Sequence, residues 1–286
     1  MAVEHMDLTV KANVRRVLAE NGLYPKKNLG QNFLTDGHVL SKIVAAADVC
    51  KQDFVIEVGP GLGVLTTELA KKAGKVTAIE IDQSLVQILR ANAAENVEII
   101  NQDALKTDMA GIIAASGFLS GKLVANLPYY ITTPIIFNLL EGGVPISCMV
   151  VMVQKEVADR MLALPSSKAY GLLTLSVKYY GRVSLVANVP PNSFFPRPDV
   201  HSAVVKIDVM PHGHIDHRIF AAITKAAFAS RRKTLVNCLH AAALGLTKEE
   251  AANLLAQAGL SENVRGEALA FEDFARLAEL FAKFIE

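Results

Sequence analysis

The residues best suited to chemistry are Asn126-Leu127-Pro128-Tyr129, placed directly after the apolar run 122–125. An Asn side-chain oxygen and a backbone carbonyl of the Leu127–Pro128 turn can accept the two N–H bonds of an exocyclic amine on a nucleobase. Such acceptors favour the pyramidal, attack-ready nitrogen over the planar amine, whose lone pair is delocalised into the ring, and so stabilise the transition state selectively. Pro128 has no amide donor and stiffens the turn. Tyr129 offers a ring on which a base pulled from its helix can stack. In isolation the same four residues are equally a β-turn with a buried Tyr, so their neighbours decide their meaning.

Those neighbours form an ordered series. Val55-Ile56-Glu57-Val58-Gly59-Pro60-Gly61-Leu62-Gly63 is an apolar strand entering a glycine turn that opens a helix. Glycines there let a ligand approach the backbone and expose amides at the helix N-terminus. Dinucleotides and S-adenosylmethionine are both bound this way. The dinucleotide fingerprint needs a small residue where Val64 stands, which disfavours NAD. The next strand ends in Glu80-Ile81-Asp82, where an acid can take both ribose hydroxyls. Asp103, after the third strand, can accept from an adenine amine. A methyl group on a sulfonium needs in-line positioning rather than a metal or a covalent intermediate, and no general base is assigned.

Positioning these ends requires a parallel sheet. Runs 54–58, 76–80, 97–100, 122–125 and 147–153 read as strands, with helical spacing over 64–72, 84–94, 134–141 and 154–163. This alternation predicts an α/β, Rossmann-like sheet of the class I methyltransferase type, mostly parallel and covered on both faces. Strands 183–188 and 202–208, separated by the Pro-rich segment 190–198, read as a closing antiparallel hairpin, while 170–180 fits helix or strand. Ahead of the sheet come a helix over 9–21, a basic polar loop from Lys26 to Leu34 and a helix over Gly37–Ala47. Beyond Val209 the pattern is helical, at about 217–229, 231–243, 247–257 and 271–284. The reading is a catalytic domain over 1–210, including the N-terminal helical and loop extension, and a small all-helical domain over 211–286.

Composition sets limits on function. With 51% hydrophobic and 20% charged residues in 286, the chain can build a core and is not a disordered polymer. Lys and Arg (29) balance Asp and Glu (28), so net charge does not announce a nucleic-acid partner. Distribution says more: Arg218, Lys225, Arg231, Arg232 and Lys233 fall in a stretch without acids, either a surface for phosphate or a solvated helix face. Cys50, Cys148 and Cys238 are scattered and suggest neither disulfides nor zinc. His212, His214 and His217 lack a fourth ligand at suitable spacing, and no metal is expected. With no signal-peptide core and no apolar run near the ~20 residues a bilayer demands, a cytoplasmic protein without membrane contact is expected.

Together with Leu29-Gly30-Gln31-Asn32-Phe33-Leu34 and Phe194-Phe195-Pro196-Arg197-Pro198-Asp199-Val200-His201-Ser202, these motifs stand in one order. In that order they resemble the ribosomal RNA adenine N6,N6-dimethyltransferases, over roughly residues 26–240. The bacterial small-subunit branch, which dimethylates two adjacent adenosines in the 3′-terminal hairpin loop of 16S rRNA, is the nearest in appearance. Ala227 to Leu235 and Arg265-Gly266-Glu267 resemble its helical domain. The resemblance implies S-adenosyl-L-methionine as cofactor, with S-adenosyl-L-homocysteine as product. It implies that Asn32, Leu34, Gly59, Gly61, Glu80, Asp103 and Asn126 bind that cofactor. It further implies that Asn126, Leu127, Pro128 and Tyr129 receive the adenine, that Tyr129 and Phe194 sandwich it, and that Arg231, Arg232 and Lys233 contact RNA. Without the resemblance, a hydrophobic plug of the hairpin is the lesser alternative reading of Phe194. Tyr130 stands where many members carry Asn. The expected partner is 16S rRNA within the small subunit or its precursor, met by a monomer. The alternatives are a 23S rRNA methyltransferase of the macrolide-resistance type and a non-catalytic RNA-binding assembly factor.

Overall fold

The computed structural model describes residues 6–210 and 212–285. Nine strands are present among them: β1 Phe33–Leu34, β2 Phe54–Val58, β3 Lys75–Glu80, β4 Val97–Asn101, β5 Gly121–Asn126, β6 Ile146–Gln154, β7 Gly181–Val189, β8 Phe194–Phe195 and β9 Ser202–Val209. Seven of them form one sheet in the order β4-β3-β2-β5-β6-β9-β7, and β1 pairs with β8 in a separate ribbon. The pairs β2–β3, β3–β4, β2–β5 and β5–β6 are parallel, and β6–β9 is antiparallel. The expected α/β sheet is therefore present. Strand order reverses between β2 and β5, and such a switch point leaves a crevice at the strand carboxyl ends.

Local sequence explains the elements. All five residues of β2 are buried, as a strand covered on both faces requires. The helices after β3 and β4, Gln83–Asn92 and Met109–Ser116, each start at an aspartate whose side chain accepts a first-turn amide, Asp82 from Ser84 and Asp108 from Gly111. Helix Met109–Ser116 has no counterpart among the helices read from sequence. Its residues are nearly all apolar or small, so no periodic stripe betrays it, and only Asp108 and Gly117 mark its ends. The ambiguous stretch resolves as helix Leu172–Tyr180.

By contact density the chain divides into two units. The first runs through Ala158 and takes in Ser184–Val209; the second comprises Asp159–Val183 and everything from Met210 onward. Segment 159–183, read from sequence with the sheet, thus joins the helices, because its anchors lie there: Tyr170 is fully buried and its hydroxyl donates to the Leu269 carbonyl at 2.7 Å. The core of the first unit packs helix Gly37–Ala47 and helix Val64–Lys72 on the sheet through Val39, Ile43, Leu65, Leu69, Val55 and Val150. The second unit holds helices His217–Phe228, Leu235–Ala241, Lys248–Gln257 and Phe271–Ile285 around Phe220, Leu239, Leu255 and Phe274. No helix among the described residues is long and apolar enough to cross a membrane.

Candidate active site

The carboxyl ends of β2, β3, β4 and β5 open into one cleft in the first unit, with about 1040 Å³ of space continuous with solvent. It is lined by Gly59 and Gly61 after β2, Glu80 ending β3, Asp103 after β4, and Asn126 to Tyr129 at the end of β5. Asn32 and Leu34 of the N-terminal loop complete it. Every residue read from sequence as cofactor-binding lines this cleft, as does the whole Asn126–Tyr129 turn.

The glycines are dictated by geometry. Gly59 and Gly61 adopt φ of +69° and +63°. A Cβ at Gly61 would lie 3.0 Å from the Phe33 ring, and one at Gly59 would lie 3.3 Å from the Pro128 Cδ. The loop is thus tight against both the N-terminal segment and the Asn126–Tyr129 turn, and only glycine satisfies both space and backbone.

Glu80 is buried and held in place, its Oε2 accepting from the Gly61 amide at 3.2 Å and its Oε1 from the Asp82 amide at 2.9 Å. Burial raises its carboxyl above the ordinary range despite these bonds. Glu57 sits beneath, inside β2, and burial pushes its carboxyl up to about 8, with the Glu80 charge adding to the effect against a nearby Thr66 hydroxyl. Asp103 accepts from the Leu105 amide at 3.0 Å. Among the described residues the carboxyl side chains lining the cleft are Glu57, Glu80 and Asp103, with no Lys or Arg beside them, and Glu57 is protonated near neutral pH. An acidic cleft of this kind suits a cationic nucleoside and repels a pyrophosphate, so the donor set fits S-adenosylmethionine and not a dinucleotide.

Asn126 donates through Nδ2 to the Asn32 carbonyl at 3.1 Å. That bond fixes the amide orientation and leaves Oδ1 as the acceptor. The Pro128 carbonyl is already used by the Ile131 amide and the Thr132 hydroxyl. Half-buried Tyr129 is anchored by a 2.6 Å hydrogen bond between its hydroxyl and the buried Ser202 Oγ. Tyr130, by contrast, is 55% exposed at the rim.

Phe194 is not brought to the cleft. It is 1% exposed and packs in the core with Leu34, Val39 and Val204. The strand alternation explains this: β8 pairs Phe194 with Leu34 and Phe195 with Phe33, and the Phe194 ring turns inward while Phe195 takes the Arg15 guanidinium over its face at 4.9 Å. Phe194 is a buried core side chain here, the alternative to a base contact.

In the second unit, Arg231-Arg232-Lys233 is exposed and lies in the turn before helix Leu235–Ala241, whereas the sequence pattern starts the helix at 231. Arg231 is committed within that unit, donating to the Lys168 carbonyl at 2.9 Å and to the Tyr170 carbonyl. Of the three histidines, His212 lies on Phe271, His217 lies on Tyr179 and Tyr180, and exposed His214 faces Glu279 at 3.7 Å.

One set of contacts beside the cleft has no counterpart in the sequence pattern. Lys26 and Gln31 both bond the Asp82 carboxylate, at 2.7 and 2.8 Å. A pairing of Lys26 and Gln31 with Asp82 across more than fifty residues leaves no local signal in the sequence.

The family model for ribosomal RNA adenine dimethylase matches residues 23–283. The chain is 46% identical over 263 residues to the ribosomal RNA small subunit methyltransferase A of Lachnoclostridium phytofermentans, covering 89% of this chain and 91% of that protein. It is 47% identical over 274 residues to the Streptococcus gordonii protein of the same name, covering 93% and 94%. Among solved structures, a dimethyladenosine transferase from Plasmodium falciparum superposes with a TM-score of 0.77 at 30% identity, over 87% of this chain and 97% of that one. The 23S rRNA methyltransferase ErmE shares the fold, with a TM-score of 0.67 at 24% identity over 88% of this chain and all of that one.

Proposed function

The chain belongs to the ribosomal RNA adenine dimethylase family, and on that premise we propose that it dimethylates the N6 amines of two adjacent adenosines in the 3′-terminal hairpin loop of 16S rRNA. The observation that carries this reading is the acidic cleft at the switch point, where an amide oxygen and a proline-stiffened turn stand beside a nucleoside site. S-adenosyl-L-methionine, when bound, supplies an electrophilic methyl group and leaves as S-adenosyl-L-homocysteine.

In this reading Glu80 takes the ribose hydroxyls of the cofactor, Asp103 its adenine amine, and Gly59, Gly61, Asn32 and Leu34 close against the rest. The target amine donates one N–H to Asn126 Oδ1 and the other to the Leu127 carbonyl, the turn carbonyl that precedes the occupied one. The amine nitrogen is thereby held pyramidal, its lone pair directed at the methyl group. The proton released on alkylation passes to solvent. Tyr129, fixed by Ser202, stacks on the target base; aromatic stacking of this type is worth about 1–3 kcal/mol. Phe194 has no part in this contact while it remains in the core. Exposed Tyr130 offers the second aromatic face.

The helical unit contributes RNA contacts. Arg232 and Lys233 meet phosphates, and Arg231 holds the turn that presents them, since phosphate contacts position an RNA without reading its sequence. The protein acts as a monomer in the cytoplasm, on the small subunit or its precursor.

The test is transfer of labelled methyl groups to under-methylated ribosomal subunits, followed by nucleoside mass analysis. N6,N6-dimethyladenosine in 16S rRNA is expected, reduced in Asn126→Ala by about 10²–10³-fold, as for loss of one transition-state hydrogen bond. Dimethyladenosine confined to 23S rRNA would overturn the substrate assignment. Full transfer by Asn126→Ala would overturn the role of the turn.

A further inference from the structure

Residues 29–34 of the N-terminal loop line the cleft and form its roof. Gly30 lies against Pro128, at a distance where a Cβ would meet the proline Cβ at 3.5 Å, and the Phe33 ring covers Gly61. The Asn32 carbonyl takes the Asn126 amide. A nucleoside bound among these lining residues would contact the loop.

Asp82, the residue that caps the helix after β3, ties the roof down. Asp82 is 5% exposed, and its carboxylate accepts from Lys26 Nζ at 2.7 Å, from Gln31 Nε2 at 2.8 Å and from the Ser84 amide at 3.1 Å. Gln31 Oε1 in turn accepts from the Lys26 amide at 2.8 Å, so the loop is closed on itself at the same point. Burial works to raise the Asp82 carboxyl, but the bonds from Lys26, Gln31 and Ser84 outweigh it and hold the group below its ordinary range. The Asp82 amide also donates to Glu80 Oε1, so the tie and the carboxylate assigned to the ribose are mechanically linked.

We propose that Asp82, Lys26 and Gln31 are positioning residues that clasp the N-terminal loop over the cleft and set the rate at which cofactor and product leave. The proposal rests on the cofactor reading above. None of the three need touch the reacting atoms. Lys26 retains 44% side-chain exposure, so its ion pair alone is weakened by solvent. The Gln31 bonds and the burial of Asp82 give the clasp its strength.

The experiment is dissociation of S-adenosylhomocysteine measured by stopped flow, on the full chain and on Gln31→Ala, Lys26→Met and Lys26→Arg. Backbone amide exchange is followed in parallel. Gln31→Ala and Lys26→Met are expected to release the nucleoside roughly tenfold faster, equivalent to about 1.4 kcal/mol, with a smaller change in the association rate. Lys26→Arg, which keeps charge and donors, is expected to stay near the parent. Exchange across residues 26–34 should rise while β2 stays protected.

Faster exchange with an unchanged release rate would overturn the gating role. Unchanged exchange and release would show that the clasp does not hold the loop. A parent protein that fails to bind S-adenosylhomocysteine would overturn the cofactor reading, and this proposal with it. Loss of protection in β2 as well would assign Gln31 and Lys26 to global stability instead.

Discussion

Replacing Glu57 by Gln tests the electrostatic cost of a carboxyl group buried beneath the glycine loop. Glu57 is 1% exposed, its Oε2 has no hydrogen-bond partner among the described residues, and burial pushes its carboxyl up to about 8. In the unfolded chain the same group ionises near its ordinary 4.5. Between those values the folded protein keeps a proton that the unfolded chain has released. The stabilisation is therefore fully present below about pH 4.5 and is lost as the pH rises through about 8, where the folded state must also bear the buried charge. At about 1.4 kcal/mol per pH unit, the interval amounts to no more than about 5 kcal/mol. The Gln amide is isosteric and has no proton to lose, so Glu57→Gln should escape this decline. The assay is urea denaturation of both proteins across the range from weakly acidic to weakly basic pH. Subtracting one stability curve from the other removes the groups that titrate in both. The variant is expected to gain several kcal/mol on the parent between about pH 5 and 8.5, within the bound above. A difference that stays flat to within about 0.5 kcal/mol would refute the reasoning, for the carboxylate would then ionise in the folded protein at little cost.

Other substitutions separate structure from chemistry. Gly61→Ala places a Cβ 3.0 Å from the Phe33 ring at φ +63°. It should cost about 1–3 kcal/mol of stability and weaken cofactor binding, as read by thermal melting and calorimetric titration. Phe194→Ala should lower stability by about 3–5 kcal/mol, as for a large core truncation, with methyl transfer per folded molecule retained; a large loss of transfer in a protein of unchanged stability would instead give Phe194 a direct role at the base. Arg231→Ala removes two main-chain hydrogen bonds within the helical unit and should destabilise it by about 1–2 kcal/mol. Lys233→Ala should leave stability unchanged and lower RNA affinity, with the salt dependence of binding shallower by about one phosphate contact.

The parts of this molecule legible in its sequence are those with local causes. Strand β2 and its glycine turn were visible because five consecutive apolar or buried positions end in residues that admit positive φ. The order of Gly59, Glu80, Asp103 and Asn126 was visible because a parallel sheet returns each strand end to the same edge. What stayed hidden was set at a distance. The Phe194 ring turns inward because β8 pairs with β1, a register between residues some 160 positions apart. The Arg231 guanidinium is taken by carbonyls of Lys168 and Tyr170, in a segment whose membership of the helical unit no composition shift announces. Helix Met109–Ser116 lacked a polar face, so periodicity had nothing to mark.

The pairing of β1 with β8, and the insertion of β9 between β6 and β7, also govern when the enzyme becomes competent during its own synthesis. The glycine loop leaves the ribosome early, but the ribbon that anchors the roof waits for Phe194–Phe195, and the sheet is incomplete until Ser202–Val209 has emerged. Closing so long a loop carries an entropic cost that later contacts must offset. In a nascent chain the loop can reach Asp82 and Asn126 before its β8 partner has been made. The ribbon and the sheet are complete only once β8 and β9 are both made, so a chain truncated before β9 is expected to lack methyl transfer.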